Sequence, residues 1–335
     1  MASNRQGAWR IAIAVAAAGA VLASLLLSHA FDYLTNRLLL ATLLVQPLNI
    51  LSGYFVAARL GYLAGPKVST WSAAKAQCLA ALILHLLPSR LSEVVKPLYL
   101  ADRCNIAISR VFAAVVCERL SDLLIMAVAV TASVAYLASG SFHSSLLYWI
   151  ATAAAVVVFS IVLMLRPQLF ERLIVLLPWT RLSHLMNRLL AEATSILKPR
   201  NIPAILALGS LGWICSYLMT FVFLVLASSK PIGPSDALIV FLAGTAGFVV
   251  GVAPGGLGTF EGAIVVALGL YGYSVGEALA LAVGMRIATM ALPGAIAVVI
   301  LARERTGLRS FLRRMRALLQ RSTLPQDEGR GGAAG

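Results

Sequence analysis

Charged side chains occur at two places where the surrounding sequence is almost entirely apolar. Arg119 and Arg286 each lie inside a long apolar stretch, and an arginine at the centre of a membrane helix costs about 2.5–3.5 kcal/mol on insertion. Such residues face a cavity or a carboxylate. The candidate partners are acidic residues: Glu93, Glu118, Asp122 and Glu261. Of these, Glu118 and Asp122 are four residues apart, so on a helix they share one face.

Two interpretations of these charges stay open. The first is a set of structural ion pairs that holds the helices in register. The second is a binding site for a lipid headgroup, because a guanidinium presents a planar fork of donors that matches two phosphate oxygens.

A glycine-rich break interrupts the apolar sequence between Gly244 and Gly262. Backbone that leaves helical geometry at membrane depth survives only where it is packed in protein or lines a wet cavity. The break contains Pro254, Gly255, Gly256 and Gly258. A half-helix that begins near Thr259 would point its N-terminus inward and favour an anion.

A second break follows Pro88 and leads into another half-helix near Ser92, with Arg90 and Lys96 close by. We expect this half-helix to present its N-terminus from the other side. Glu93 and Glu261 each lie in a first turn, so they are either acids that compensate the helix dipole or gates that pair with an arginine when substrate is absent.

The residue pattern does not favour a metal site or a nucleotide-binding site. The four histidines and four cysteines have no metal-ligand spacing, and the glycine-rich break lacks both the third glycine and the βαβ context of a nucleotide-binding loop. We therefore predict no metal and no cofactor. Gly247 and Gly251 form a GxxxG pattern that favours close helix packing.

Composition places these residues in a membrane. The 335-residue chain is 60% hydrophobic and only 12% charged, with a mean hydropathy of +0.90, far more apolar than a soluble globular protein. The net charge of +14 indicates cytoplasmic loops and attraction to anionic lipid, rather than nucleic-acid binding, since no recognition module accompanies it.

The apolar runs predict an all-α integral membrane protein with six full crossings and two re-entrant hairpins. The predicted crossings cover about 11–28, 38–58 with a kink at Pro47 and Gly53, 110–138, 146–165, 203–228 and 277–302. The hairpins have arms at 76–87 and 94–101, and at 236–252 and 261–272. Two amphipathic segments, 166–200 and 306–321, should lie on the anionic membrane surface.

The positions of the Lys and Arg residues along the chain favour one membrane topology. Of the 27 Lys and Arg residues, all except Arg37, Lys230, Arg119 and Arg286 fall in segments assigned to one side: 1–10, 59–75, 88–110, 166–200 and the tail from 303. This asymmetry predicts cytoplasmic N- and C-termini in a bacterial-type inner membrane. The tail should be disordered after about residue 324.

Under this topology the membrane domain, 11–302, consists of two inverted repeats, about 11–138 and 146–302. The spacing from Glu93 to Arg119 is 26 residues, and that from Glu261 to Arg286 is 25. Inverted repeats with paired broken helices indicate a transporter whose site lies near the membrane midplane. A duplication that only stabilises packing is the alternative.

Three motifs in order, LPSRLSEVVKPLYL, CERLSD and APGGLGTFEG with a later MR, resemble the membrane domain at the N-terminus of lysylphosphatidylglycerol synthases. The resemblance covers about residues 10 to 305 and implies lipid flipping without synthesis, because only about 33 residues follow Ala302, too few for the cytosolic aminoacyltransferase domain. One departure is Ser89 with Leu91 and Ser92, where relatives commonly have glycine. The resemblance to the family implies the following motif positions in this sequence: Arg90, Glu93, Glu118, Arg119, Asp122, Pro254, Gly255, Gly256, Gly258 and Glu261.

We therefore expect a flippase, rather than an enzyme, that moves an anionic phospholipid or a polyprenyl-phosphate-linked lipid by alternating access. Two alternatives remain: an integral-membrane enzyme that modifies lipid-linked sugars with Glu93 or Glu261 as general base, and a non-catalytic partner that docks cytosolic enzymes through its amphipathic segments. The sequence also allows a homodimer.

Overall fold

A computed structural model describes residues 36–86, 91–138, 180–250 and 253–304, and within these ranges the chain is helical without strands. The predicted crossings at 11–28 and 146–165, the amphipathic segment 306–321 and the end of the tail lie outside the described residues. The helices are α1 Asn36–Leu44, α2 Gln46–Ala64, α3 Thr70–Leu86, α4 Leu91–Cys104, α5 Ile108–Ala138, α6 Thr180–Ile196, α7 Ile202–Ala227, α8 Pro234–Val250, α9 Thr259–Gly269 and α10 Val275–Arg303.

Three helical stretches are long and apolar enough to cross a membrane: Asn36–Ala64, Pro199–Ala227 and Val275–Arg303. They match the predicted spans at 38–58, 203–228 and 277–302. The predicted helix at 110–138 is also confirmed as α5, which carries charged residues in its first half. Together these helices make the chain a multi-pass membrane protein.

The first of these stretches is broken at Val45, between α1 and α2, rather than at Gly53. Pro47 lies in the first turn of α2, where a missing N–H is tolerated, so the chain starts a new helix there. The carbonyl of Val45 accepts from the backbone N–H groups of Leu48 and Asn49, each at 3.1 Å. Gly53 lies within α2 without interrupting it.

Two pairs of packed helices lie where the hairpins are predicted: α3 with α4, and α8 with α9. Residues 87–90 and 251–252 lie outside the described ranges. A short 3₁₀ turn, Pro254–Gly256, follows α8 and leads into α9, and it packs against α3 of the first hairpin. The tip of the second hairpin therefore contacts an arm of the first.

Two hydrophobic cores divide the molecule. The first joins α2, α3, α4 and α5 with the end of α6 and the last turns of α10. The second joins α1, the end of α7, α8, α9 and the first half of α10. Each half of the chain thus supplies most of one core, and the long helix α10 connects the two.

The two ends of this bundle differ in charge. At one end α2 and α10 finish and α7 starts; Tyr62 Oη donates to Asn201 Oδ1 at 3.1 Å and Tyr99 Oη to Glu304 Oε1 at 3.0 Å. We call this the basic end, because its exposed cations are Lys67, Arg103, Lys198, Arg200 and Arg303. The opposite end carries the exposed Arg37 and Lys230.

Helix α6 makes up most of the described part, 180–200, of the amphipathic segment 166–200. It packs on α5, where Arg110 Nη1 forms an ion pair with Glu192 Oε2 at 3.1 Å. Ile196 and Leu197, at its end, are buried in the first core. The apolar side of this segment is therefore covered at its C-terminal end by the helical bundle.

Candidate functional site

A cluster of buried charges lies among α2, α4, α5 and α7. At its centre is Arg59 of α2, whose side chain is 1% exposed. Arg59 Nη1 lies 2.8 Å from Asp122 Oδ1, and Arg59 Nη2 lies 3.6 Å from Glu118 Oε1. Arg59 Nη1 also donates to Ser121 Oγ at 3.1 Å. This arginine links α2 to both carboxylates of α5.

The position of Arg59 differs from the predicted topology, which places residues 59–75 in a cytoplasmic loop. Helix α2 continues to Ala64, and its last turns place Arg59 inside the bundle. Gly209 of α7 makes room for it: a Cβ at that position would clash with Arg59 Nη1. The sequence signal was present, because the apolar run of α2 continues past this residue.

The two carboxylates also bind other partners. Trp213 Nε1, from α7, donates to Asp122 Oδ1 at 2.8 Å. Lys96 Nζ, from α4, lies 3.7 Å from Glu118 Oε1. Glu118 Oε2 and Arg59 Nε are buried without a hydrogen-bond partner, which is costly at this depth. The two carboxylates therefore connect α5 to α2, α4 and α7.

Arg119 belongs to the same cluster but has a different environment. Its Nη2 lies 3.5 Å from Glu118 Oε1 and its Nη1 lies 3.1 Å from Asp122 Oδ2. Its side chain is nevertheless 46% exposed, because it borders a cavity. Among the described residues of this half, Arg59 is thus the buried arginine, whereas Arg119 reaches open space.

That cavity has a volume of about 670 Å³ and lies along one face of α3. From Thr70 to Leu84 the lining covers about 21 Å of that helix, at 1.5 Å per residue. Most lining residues are apolar, and three are cationic: Lys75, Lys96 and Arg119. Among the described residues that line it there is no carboxylate. The other lining residues come from α2, α8 and α10: Asn49, Ile50, Gly53, Tyr54, Phe248, Leu292, Pro293 and Ile296.

The second hairpin forms a separate polar centre around Arg286. Its Nη1 donates to the carbonyl of Gly255 at 2.7 Å and its Nη2 to that of Gly256 at 3.1 Å. Its Nε donates to Glu261 Oε1, and the guanidinium lies over the ring of Phe260 at 4.7 Å. All three nitrogens of this guanidinium therefore bind groups of the hairpin.

The glycines of this turn adopt backbone conformations that L side chains rarely adopt. The φ angles are 61° for Gly255, 63° for Gly256 and 84° for Gly258, all in the left-handed region. A Cβ on Gly256 would also lie 3.1 Å from Cα of Phe248. Glycine is required here so that the chain can turn and bring two carbonyls to Arg286.

Glu261 caps the N-terminus of α9. Its Oε2 accepts from the backbone N–H of Gly258 at 2.8 Å, while its Oε1 pairs with Arg286. The side chain is 3% exposed. Both oxygens are therefore occupied, and the anion at this helix N-terminus is the carboxylate of the protein itself.

The predicted site residues thus fall into two groups. Lys96, Glu118, Arg119 and Asp122 meet beside the cavity, whereas Gly255, Gly256, Gly258, Glu261 and Arg286 meet at the second hairpin. Arg90 lies outside the described residues, as do the side chains of Glu93 and Pro254.

Phe248 and the 3₁₀ turn connect the groups, since Phe248 lines the cavity and stacks edge-on against Phe260. Sequence reasoning missed Arg59, Lys75 and Trp213.

Fold and site define a multi-pass helical membrane protein with a cationic cavity among its helices. The family model described as the lysylphosphatidylglycerol synthase TM region matches residues 7–297. The chain therefore belongs to that family, as its three motifs predicted. No curated protein matches the chain in a sequence comparison.

Proposed function

We propose that the protein transports a lipid with an anionic headgroup from one membrane leaflet to the other. The observation that carries this proposal is the cavity: its charged lining residues, among those described, are all cations, and the rest of its lining is mainly apolar. The cations can bind the phosphate of a lipid, and the apolar lining can contact its acyl chains. Family membership supports a lipid-related role.

In this proposal Lys96 and Arg119 contact the phosphate. Arg119 offers a fork of donors and Lys96 a compact charge, the usual pair of phosphate ligands in proteins. The chains remain in the bilayer, because the cavity has exposed apolar residues along one side. Ile50 and Tyr54 of α2 and Trp71 of α3 line it and are 58%, 55% and 66% exposed.

The charge distribution supports an orientation with the basic end in the cytoplasm of a bacterial-type cell. The two hairpins predicted from the sequence, one from each side, then allow alternating access, with each hairpin closing one side of the cavity in turn. Glu261 and Arg286 hold the turn of the second hairpin in this scheme. They act on the lipid indirectly, through the placement of Phe248.

Transport is tested in proteoliposomes with a fluorescent anionic phospholipid and a membrane-impermeant quencher. We expect Lys96→Gln and Arg119→Gln each to slow headgroup translocation by about tenfold, because a charge-assisted hydrogen bond contributes about 1.5–3 kcal/mol. Matched controls are Lys67→Gln and Arg200→Gln, which remove exposed cations from the basic end.

The two variants must be folded for this comparison, so each is also checked by size-exclusion chromatography and thermal unfolding in detergent. Equal translocation rates in Lys96→Gln, Arg119→Gln and the wild type would refute the assignment of the headgroup to this cavity.

A further inference from the structure

One cation of the buried cluster, Arg59, has no direct access to the cavity. Its side chain is 1% exposed, and it is not among the described residues that line the cavity. Lys96 and Arg119, by contrast, both line it. The described polar contacts of Arg59 lie on α5. Arg59 can therefore influence a bound headgroup only through the side chains of that helix.

The carboxylates of Glu118 and Asp122 occupy the two terminal nitrogens of Arg119. Its Nη1 lies 3.1 Å from Asp122 Oδ2, and its Nη2 lies 3.5 Å from Glu118 Oε1. Two such nitrogens form a fork that matches two phosphate oxygens as well as it matches carboxylate oxygens. A lipid phosphate therefore competes with these two carboxylates for Arg119.

Arg59 weakens the attraction between these carboxylates and Arg119. Arg59 Nη1 lies 2.8 Å from Asp122 Oδ1, whereas Arg119 contacts Oδ2 of the same carboxylate. The two arginines also share Glu118 Oε1, at 3.6 Å for Arg59 and 3.5 Å for Arg119. Because two cations that share a carboxylate repel each other, each is bound less strongly than it would be alone.

Arg59 also keeps the carboxylates paired when Arg119 moves away from them. Glu118 is 1% exposed and Asp122 is 8% exposed, and a buried carboxylate without a partner strongly destabilises a protein. Asp122 Oδ1 would retain Arg59 Nη1 and the indole N–H of Trp213, each at 2.8 Å. Glu118 would retain Arg59 Nη2. Movement of Arg119 towards a phosphate therefore leaves both carboxylates with a cation.

We infer that Arg59 is a positioning residue for the lipid headgroup: it binds Glu118 and Asp122 from the buried side and so allows Arg119 to exchange them for a phosphate. The inference rests on the transport of an anionic lipid proposed above. Arg119 has room for this exchange, because its side chain is 46% exposed to the cavity. Arg59 is confined instead, since a Cβ at Gly209 would lie 2.5 Å from its Nη1.

Removal of the charge at position 59 tests this role in the translocation assay, with a rising fraction of fluorescent phosphatidylglycerol in phosphatidylcholine vesicles. Arg59→Met leaves Arg119 more strongly bound to the carboxylates. It should raise the lipid fraction that gives half the maximal rate by about tenfold, a usual size of coupling within one ion-pair network. Arg59→Lys keeps the charge and should stay close to the wild type.

Removal of a competing carboxylate should reverse this effect. In the double variant Arg59→Met with Glu118→Gln, Arg119 has one carboxylate fewer, so the half-maximal lipid fraction should return towards the wild-type value. The matched control combines Arg59→Met with Glu192→Gln, which removes a carboxylate that pairs with Arg110, and it should give no such return. A loss of folded protein would lower the maximal rate and leave the half-maximal lipid fraction unchanged.

Lipid binding is measured separately from transport by the protection of a cysteine in the full-length protein. Cys78 lines the cavity, whereas Cys104, also partly exposed, is not among the described lining residues. Phosphatidylglycerol should slow the alkylation of Cys78 by N-ethylmaleimide but not that of Cys104. Arg59→Met should need about tenfold more lipid for the same protection. Mass spectrometry of the two cysteine peptides measures both rates.

The two readouts distinguish this inference from the transport proposal. A shift in Cys78 protection that Glu118→Gln reverses, without translocation by any variant, would refute transport and support the role of Arg59. Translocation with the same lipid dependence in Arg59→Met and the wild type would refute the role of Arg59 and leave transport standing. If Arg59→Met does not fold, Glu118→Gln alone decides. It should lower the half-maximal lipid fraction, and an unchanged fraction would refute the competition for Arg119.

Discussion

Two arginines, Arg286 and Arg119, bind carboxylates in different environments in this protein. Arg286 uses its three nitrogens on one carboxylate and two carbonyls of a single hairpin, an arrangement that fixes a turn. Arg119 shares its carboxylates with Arg59 and remains 46% exposed to a cavity. The same residue type at similar positions of the two halves therefore has two environments.

Glu261 and Arg286 should be strongly coupled in stability. Glu261→Gln keeps an acceptor for the N–H of Gly258 but leaves the charge of Arg286 buried without its partner, which costs about 3–5 kcal/mol. The double variant Glu261→Gln with Arg286→Met removes both charges and should lose less than the sum of the two single variants. Chemical unfolding in detergent measures all four proteins. Additive losses would contradict a direct pair.

At the level of elements, the first turn of α2, which contains Pro47, lies next to Pro293 of α10 beside the cavity. Pro293 deprives the carbonyl of Thr289 of its helical donor. Polar side chains of the first turn of α2 lie there instead. Asn49 Nδ2 donates to this carbonyl at 3.5 Å, and Gln46 Nε2 and Asn49 Nδ2 each donate to the neighbouring carbonyl of Ala288 at 3.0 Å. Such contacts allow a proline inside a membrane helix.

The arms of the second hairpin pack so closely that glycine is needed at their crossing. A Cβ on Gly247 would lie 2.8 Å from Cβ of Ala263 and closer still to the carbonyl oxygen of Thr259. This confirms close packing at the first glycine of the GxxxG pattern, while Gly251 lies outside the described residues. The packing partner is the neighbouring arm, α9.

Gly247→Ala should therefore destabilise the protein by about 1–3 kcal/mol, because an extra methyl group overpacks the crossing. Gly262→Ala is the matched control in α9, where a Cβ would meet nothing within 4 Å. It should be neutral or stabilise by about 0.4–1 kcal/mol, since alanine loses less conformational freedom in a helix. Thermal unfolding of both variants measures whether Gly247→Ala lowers the stability while Gly262→Ala keeps or raises it. A Gly247→Ala protein as stable as the wild type would contradict the packing.

The sequence predicted the elements better than the contacts between them. Apolar run length located the spans at 38–58, 203–228 and 277–302, and the glycine-rich break located the turn before α9. The sequence also placed Glu261 among the four candidate acidic partners of Arg119 and Arg286. It could not show that Arg59 reaches Asp122, because that contact joins helices 63 residues apart in sequence, and it gave no sign of the cavity.

At the scale of the whole molecule, two cores joined by α10 are compatible with movement of one half against the other. The first core holds the cavity lining of α3 and the buried cluster, and the second holds the hairpin of Arg286. Between them lies Pro293, inside α10 and in the wall of the cavity. A bend at this point would move the cavity relative to the second hairpin.

The direction of such transport depends on which end faces the cytoplasm, and the exposed lysines provide a matched test. In a variant without the four native cysteines, Lys67→Cys marks the basic end and Lys230→Cys the opposite end. Because the positive-inside rule assigns the basic end to the cytoplasm, an impermeant maleimide added to intact cells should label Lys230→Cys alone. Lys67→Cys should react only after the membrane is permeabilised. The reverse pattern would invert the proposed orientation.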